Sequence, residues 1–174
     1  MSASNDRHTR ANERQRRRHR PATIRLLFIG ESPPASGRFF YNQDSGLYRA
    51  MRDAFREVDP TITDGTFLEV FQKTGCYLID ACNDPVDQLD PPSRRAACAA
   101  SEGSLAKKLR TLRPQAIATL VVSIRKNVDR AIEQANWQGP RLDLPYPGRW
   151  IRHREVFVTR LLPHLKTLIS SKPL

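Results

Sequence analysis

Ile24-Arg25-Leu26-Leu27-Phe28-Ile29-Gly30-Glu31-Ser32-Pro33-Pro34, closed by Gly37-Arg38-Phe39-Phe40-Tyr41, carries the main clue to the fold. An apolar run of strand length stops at a glycine, and a carboxylate follows in a turn stiffened by two prolines. Open α/β sheets present their chemistry in this way, at the carboxyl ends of strands. An acid beside aromatic rings predicts a pocket for a flat ligand. The competing reading is a buried strand with an ordinary surface loop after it.

Outward from that strand, Leu47, Met51, Phe55 and Val58 recur at helical spacing and predict a helix from Ser45 to Val58, ended by Pro60. Phe67, Leu68, Val70 and Phe71 predict a short helix stopped by Gly75, and Tyr77-Leu78-Ile79 a second strand running into the polar loop Asp80–Pro85. The segment after Pro91-Pro92 reads as helical, with Leu105, Leu109 and Leu112 as its stripe and Gly103 as a possible split. Arg113-Pro114 stops it. Residues 116–122 predict a third strand, and Val128, Ile132 and Ala135 a helix ending near Gly139-Pro140. A fourth strand, Arg141–Leu144, leads into Pro145-Tyr146-Pro147-Gly148-Arg149-Trp150. Phe157, Leu161 and Leu165 favour a final helix, although Val156–Thr159 also fits a strand. Alternating strands and helices predict an α/β fold, a three-layer α/β/α arrangement around a central, mainly parallel four-stranded sheet. The polar loops after Gly30, Asp80 and Leu144 would then share one rim.

The chain of 174 residues has room for one domain with a real core. Of its formal charge of +11, +5 falls in residues 1–21, where seven arginines face only Asp6 and Glu13. This divides the chain into an Arg-rich arm, 1–21, expected to be disordered when free, and a domain, 22–174. The natural partner of such an arm is a polyanion, bound with strong salt dependence; a solubility tail or targeting signal is the alternative. No apolar run reaches membrane-span length, and the arm is unlike a secretory signal. A monomeric, intracellular protein without membrane contact is expected, cytoplasmic and, in a bacterium, associated with the nucleoid. Cys76, Cys82 and Cys98 lack zinc-type spacing and predict buried free thiols, with no metal site.

In their order along residues 24–165, the motifs resemble the uracil-DNA glycosylase superfamily. Gly30-Glu31-Ser32-Pro33-Pro34 is similar to the Gly-Glu-Ala-Pro-Gly turn of its iron–sulfur branch, and Gly37-Arg38-Phe39-Phe40-Tyr41 to that branch's Gly-Arg-Pro-Phe-Val. Gly75–Ala81 resembles the base-reading strand, and Leu144-Pro145-Tyr146-Pro147 sits where a His-Pro-Ser-Pro loop would be. The departures are specific. The turn-to-aromatic spacing is shorter and the cluster cysteines are missing, so no cofactor is expected. The water-activating Asp of the best-known branch falls on Ser32, the base-reading Asn on Asp80 and the late His on Leu144.

The resemblance implies a monofunctional DNA glycosylase that extrudes a deaminated base, most plausibly uracil, and hydrolyses its bond to deoxyribose. Glu31 would stabilise the sugar cation and orient water, with Ser32 or Asp80 assisting. Phe40 would stack on the base. Asp80, or Asn83 three residues on, would read the base edge; a protonated Asp80 could imitate the Asn, and a capping role for Asp80 is the simpler alternative. Tyr146 would line the base site. Arg38, Pro147, Arg149 and Trp150 would hold the opened DNA. His153 or His164 could replace the missing His. Two other readings remain: a nucleic-acid-binding protein that kept the fold without the chemistry, and a nucleotide-binding protein with a metal between Glu31 and Asp80.

Overall fold

The computed structural model describes residues 3–148 and 150–170. In chain order its elements are α1 (Ala3–Arg18), β1 (Leu26–Gly30), α2 (Gly46–Arg56), α3 (Phe67–Lys73), β2 (Cys76–Asp80), α4 (Pro91–Ala100), α5 (Glu102–Leu112), β3 (Ile117–Thr119), α6 (Arg125–Ala135), β4 (Arg141–Asp143) and α7 (Ile151–Ser170). The four strands form one parallel sheet in the order β2-β1-β3-β4. Right-handed crossovers place α2 and α3 on one face and α4, α5 and α6 on the other, and α7 packs beside α2. The result is a three-layer α/β/α fold.

Local chemistry explains the boundaries. The Ser45 hydroxyl accepts from the Tyr48 amide at 3.1 Å and starts α2, and Asp90 accepts from Ser93 at 3.0 Å ahead of Pro91-Pro92 to start α4. The helical stretch after Pro91 breaks at Ser101 and not at Gly103, which lies in the first turn of α5. The Ser101 hydroxyl bonds back to the Ala97 carbonyl at 3.0 Å, competing with continuation of the helix. The third strand is shorter than expected: its ladder with β1 ends at Thr119, and a 3-10 turn over Val122–Ile124 leaves Val122 exposed. The last segment is helical, with Phe157, Leu161 and Leu165 fully buried.

An aromatic cluster packs between the sheet and the α2–α3 face. Phe71 of α3 lies 5.8 Å from Phe28 of β1 and 5.3 Å from Phe40, and Phe67 lies 5.3 Å from both Tyr48 and Phe55. The three cysteines are buried free thiols. Among the described residues no helix is long and apolar enough to cross a membrane.

The arm differs most from expectation. Residues 3–18 form helix α1, docked on the domain, in place of a disordered tail. Glu13 supports the helix by pairing with Arg16 at 2.7 Å and Arg17 at 3.0 Å, three and four residues on. Arg16 then reaches Asp80, a partner that arginine-rich composition cannot reveal.

Candidate functional site

Because all four strands are parallel, their carboxyl ends meet on one rim. Gly30 pairs with Asp80, Ile29 with Thr119, and Thr119 with Asp143. The chain runs from β1 outward to β2 and then crosses back to β3, so the crevice between β1 and β3 is where sheets of this kind bind ligands. Glu31 lies there, directly after β1. Its carboxylate accepts from the Ser123 hydroxyl, beyond β3, at 3.3 Å. Arg94 of α4 grips the same carboxylate with two N–H groups, Nε to Oε1 at 3.0 Å and Nη2 to Oε2. Only 10% of the Glu31 side chain is exposed.

The thiol of Cys98 lies 3.9 Å from Glu31 Oε1 and 3.6 Å from the Cys82 sulfur. Burial, with the neighbouring Cys82 sulfur next, pushes the Cys98 thiol up to about 12, which leaves it protonated and unreactive at neutral pH.

Asp80 ends β2 and is buried. Its Oδ2 accepts from Arg16 Nη2 at 2.7 Å, and its backbone carbonyl accepts from Lys108 Nζ at 2.9 Å. Burial outweighs the pull of the two cations and lifts the Asp80 carboxyl above the usual carboxylate range. Burial also works against the Arg16 charge, but Asp80 and Glu13 more than offset it and hold its pKa above the ordinary value. Burial and the nearby Arg16 charge lower Lys108.

Gly30 explains how Asp80 fits. A Cβ on Gly30 would stand 2.8 Å from Asp80 Oδ1, inside van der Waals contact. Glycine at the end of β1 therefore lets the neighbouring strand's carboxylate lie against the backbone. Gly30→Ala is expected to cost about 1–3 kcal/mol through this overlap. Urea unfolding checks it; an unchanged midpoint would show that Asp80 Oδ1 is not held against Gly30.

The other expected site residues divide. Ser32 is partly buried and its hydroxyl accepts from the Val86 amide at 3.2 Å, tying the first loop to the second. Asn83 is exposed, with its side-chain oxygen held by Lys108 at 2.8 Å. Tyr146 is 39% exposed; burial and the Asp80 charge raise its phenol, and its ring lies over Gly148. Pro147 is buried, Arg38 is exposed and Trp150 is 64% exposed. Arg149 lies outside the described residues.

Phe40 is a correction. It is 3% exposed, among Tyr41, Tyr48, Phe67 and Phe71, so it belongs to the core and does not face a ligand. Residues 40–42 form a 3-10 turn that draws in all three rings. The Tyr41 hydroxyl donates to the Leu78 carbonyl at 3.1 Å and accepts from its amide at 2.8 Å. Phe39 has the Arg16 guanidinium 5.3 Å above its centroid. Glu31 and Asp80 each face an arginine, which removes the geometry expected of a shared metal; among the described residues no cluster of three metal-ligating side chains occurs.

Sequence reasoning missed Arg16, Arg94, Lys108 and Ser123. Each lies on an element remote in sequence from the residue it contacts, and none sits in a distinguishing motif. A cleft of about 220 Å³ separates α1 from the first turn, lined by Asn12, Pro34, Gly37 and Pro85 among others. A second, of about 390 Å³, is lined by Asp129, Glu133, Trp137 and Arg141 at the amino end of β4, on the rim opposite Glu31. No family model matches the chain, and no curated protein matches it.

Proposed function

We propose that this protein is a DNA glycosylase related to the uracil-DNA glycosylase superfamily, releasing a deaminated base, uracil first among them, by hydrolysis. The observation that carries the reading is Glu31 at the crevice between β1 and β3, on the rim that also holds Asp80 and Tyr146. A carboxylate there can stabilise a developing sugar cation and orient water against it. Arg94 and Ser123 hold that carboxylate in one orientation. Asp80 would read a base edge, and Phe39, which is buried under Arg16 of α1 and not by the core rings around Phe40 alone, would supply the aromatic face once α1 moves aside. The Tyr146–Trp150 loop and Arg38 would contact the opened DNA, and the arginines of α1 its phosphates. Hydrolysis of this kind calls for no cofactor.

The test is a panel of duplexes carrying uracil, hypoxanthine, xanthine or a thymine mismatch, scored for alkali-labile abasic sites. Breaks at uracil above the other lesions are expected. An intact panel at micromolar protein contradicts the activity.

One observation favours the second reading, a nucleic-acid binder without chemistry: each acidic group of the site is already paired with an arginine, Glu31 with Arg94 and Asp80 with Arg16. Binding to all duplexes with no release from any would establish it.

A further inference from the structure

A base pocket grips its base by stacking on the flat face and by hydrogen-bonding to the edge. In this protein a flat group already occupies that position. The Arg16 guanidinium lies over the Phe39 ring at 5.3 Å and gives an edge N–H to Asp80 at 2.7 Å. With α1 in place, Phe39 is 2% exposed, Asp80 7% and Arg16 itself 9%. We infer that helix α1 is an internal occupant of the base site, with Arg16 standing where an extruded base would lie, and that nucleic acid opens the site by drawing the helix away. This rests on the glycosylase reading of the rim, which supplies the base that Arg16 imitates.

The attachment of α1 suits a removable part. From Ala3 to Arg18 the helix has no large apolar side chain, so its docking gains little from hydrophobic burial. Beyond Arg16 its contacts with the domain include a 3.4 Å hydrogen bond from Gln15 to the Tyr41 carbonyl. Just past its end, His19 stacks on Tyr41 at 5.4 Å, and Gln72 donates to the carbonyls of Arg18 and Arg20 at 3.3 and 3.0 Å. The anchor is also imperfect, because Arg16 Nε is buried without a hydrogen-bond partner.

The outer surface of the helix supplies the pull. Arg14, Arg17 and Arg18 are exposed. Arg17 is paired with Glu13 in an exposed salt bridge, and Arg18 donates to Gln15 at 3.3 Å. Contacts of this kind are weak in water and yield readily to phosphate. Opening adds Arg16 to the cations that a DNA backbone can bind. Duplex DNA therefore favours the open form over the closed one, and that difference in affinity is what shifts the population.

The experiment uses the whole chain with nitroxide labels on Ala11→Cys in α1 and Glu133→Cys in α6, both exposed positions. The native thiols Cys76, Cys82 and Cys98 are all buried, which directs labelling to the introduced cysteines. Pulsed electron resonance should give one narrow distance for the free protein. A saturating duplex with a tetrahydrofuran abasic analogue should shift it to a longer, broader distribution. Adding Arg16→Ala should produce the long distribution without DNA. An unchanged distance with DNA bound overturns the inference, as does a short, narrow distance in the Arg16→Ala protein. Base release from a uracil duplex, measured in parallel, separates the two claims. Opening without release retains the gate and removes the activity; release with α1 still closed removes the gate and retains the activity.

Discussion

Phe40→Ala is expected to lower folding stability by about 3–5 kcal/mol, the usual cost of removing a buried aromatic ring. The ring is 3% exposed and has four aromatic neighbours within about 6 Å, the closest being Tyr41 at 5.0 Å. Collapse of the cavity is limited because Phe67 and Phe71 are also held by Phe55, on the far side of the cluster. Denaturant unfolding with a two-state fit measures the loss. A ring that stacks on a flipped base would behave in the opposite way, since its removal leaves folding nearly intact and weakens the enzyme. A loss below about 1 kcal/mol, the range of ordinary surface changes, would move Phe40 out of the core and back into the pocket.

Glu31→Gln should reduce single-turnover base release by roughly 10²–10³-fold, the scale for removing one electrostatic stabiliser of a charged transition state. The amide keeps the shape, and its oxygen can still accept from Ser123 and Arg94 Nε while its NH2 loses the bond from Arg94 Nη2, so the fold should survive. Thermal unfolding checks that point independently. Arg94 is 38% exposed in its side chain, and solvent weakens its pairing with Glu31, which limits the stability lost with the charge. Full activity in the Gln variant would show that the carboxylate at the β1–β3 crevice holds a loop and takes no part in the reaction.

The elements were legible where periodicity and punctuation agreed. Five consecutive apolar or small residues ending at Gly30 gave β1, and the Leu47–Phe55 stripe behind Ser45 gave α2. The shared rim followed from strand–helix alternation alone, because parallel strands place all their following loops at one end. What stayed hidden was set by contacts between distant residues. Arg16 is one arginine among seven in its segment, and only the fold brings it to Asp80, 64 residues away. Arg94 meets Glu31 across 63 residues and Ser123 meets it across 92. The burial of Phe40 has a local cause that the resemblance does not carry. Period-two alternation holds for extended chain, whereas residues 40–42 turn in a 3-10 geometry with Gln43 at φ 67°. Gly30 was visible as a strand stop, but its close approach to the Asp80 carboxylate needed the register of β1 on β2.

The central claim is hydrolysis of an N-glycosidic bond at the rim that holds Glu31. Its most direct measurement is free base, detected by mass spectrometry, from a duplex with one isotopically labelled uracil under single-turnover conditions. The account predicts labelled uracil in amounts equal to the abasic sites formed, from the wild-type protein and not from Glu31→Gln. Duplex that is bound yet yields no free uracil from the wild-type protein would contradict it.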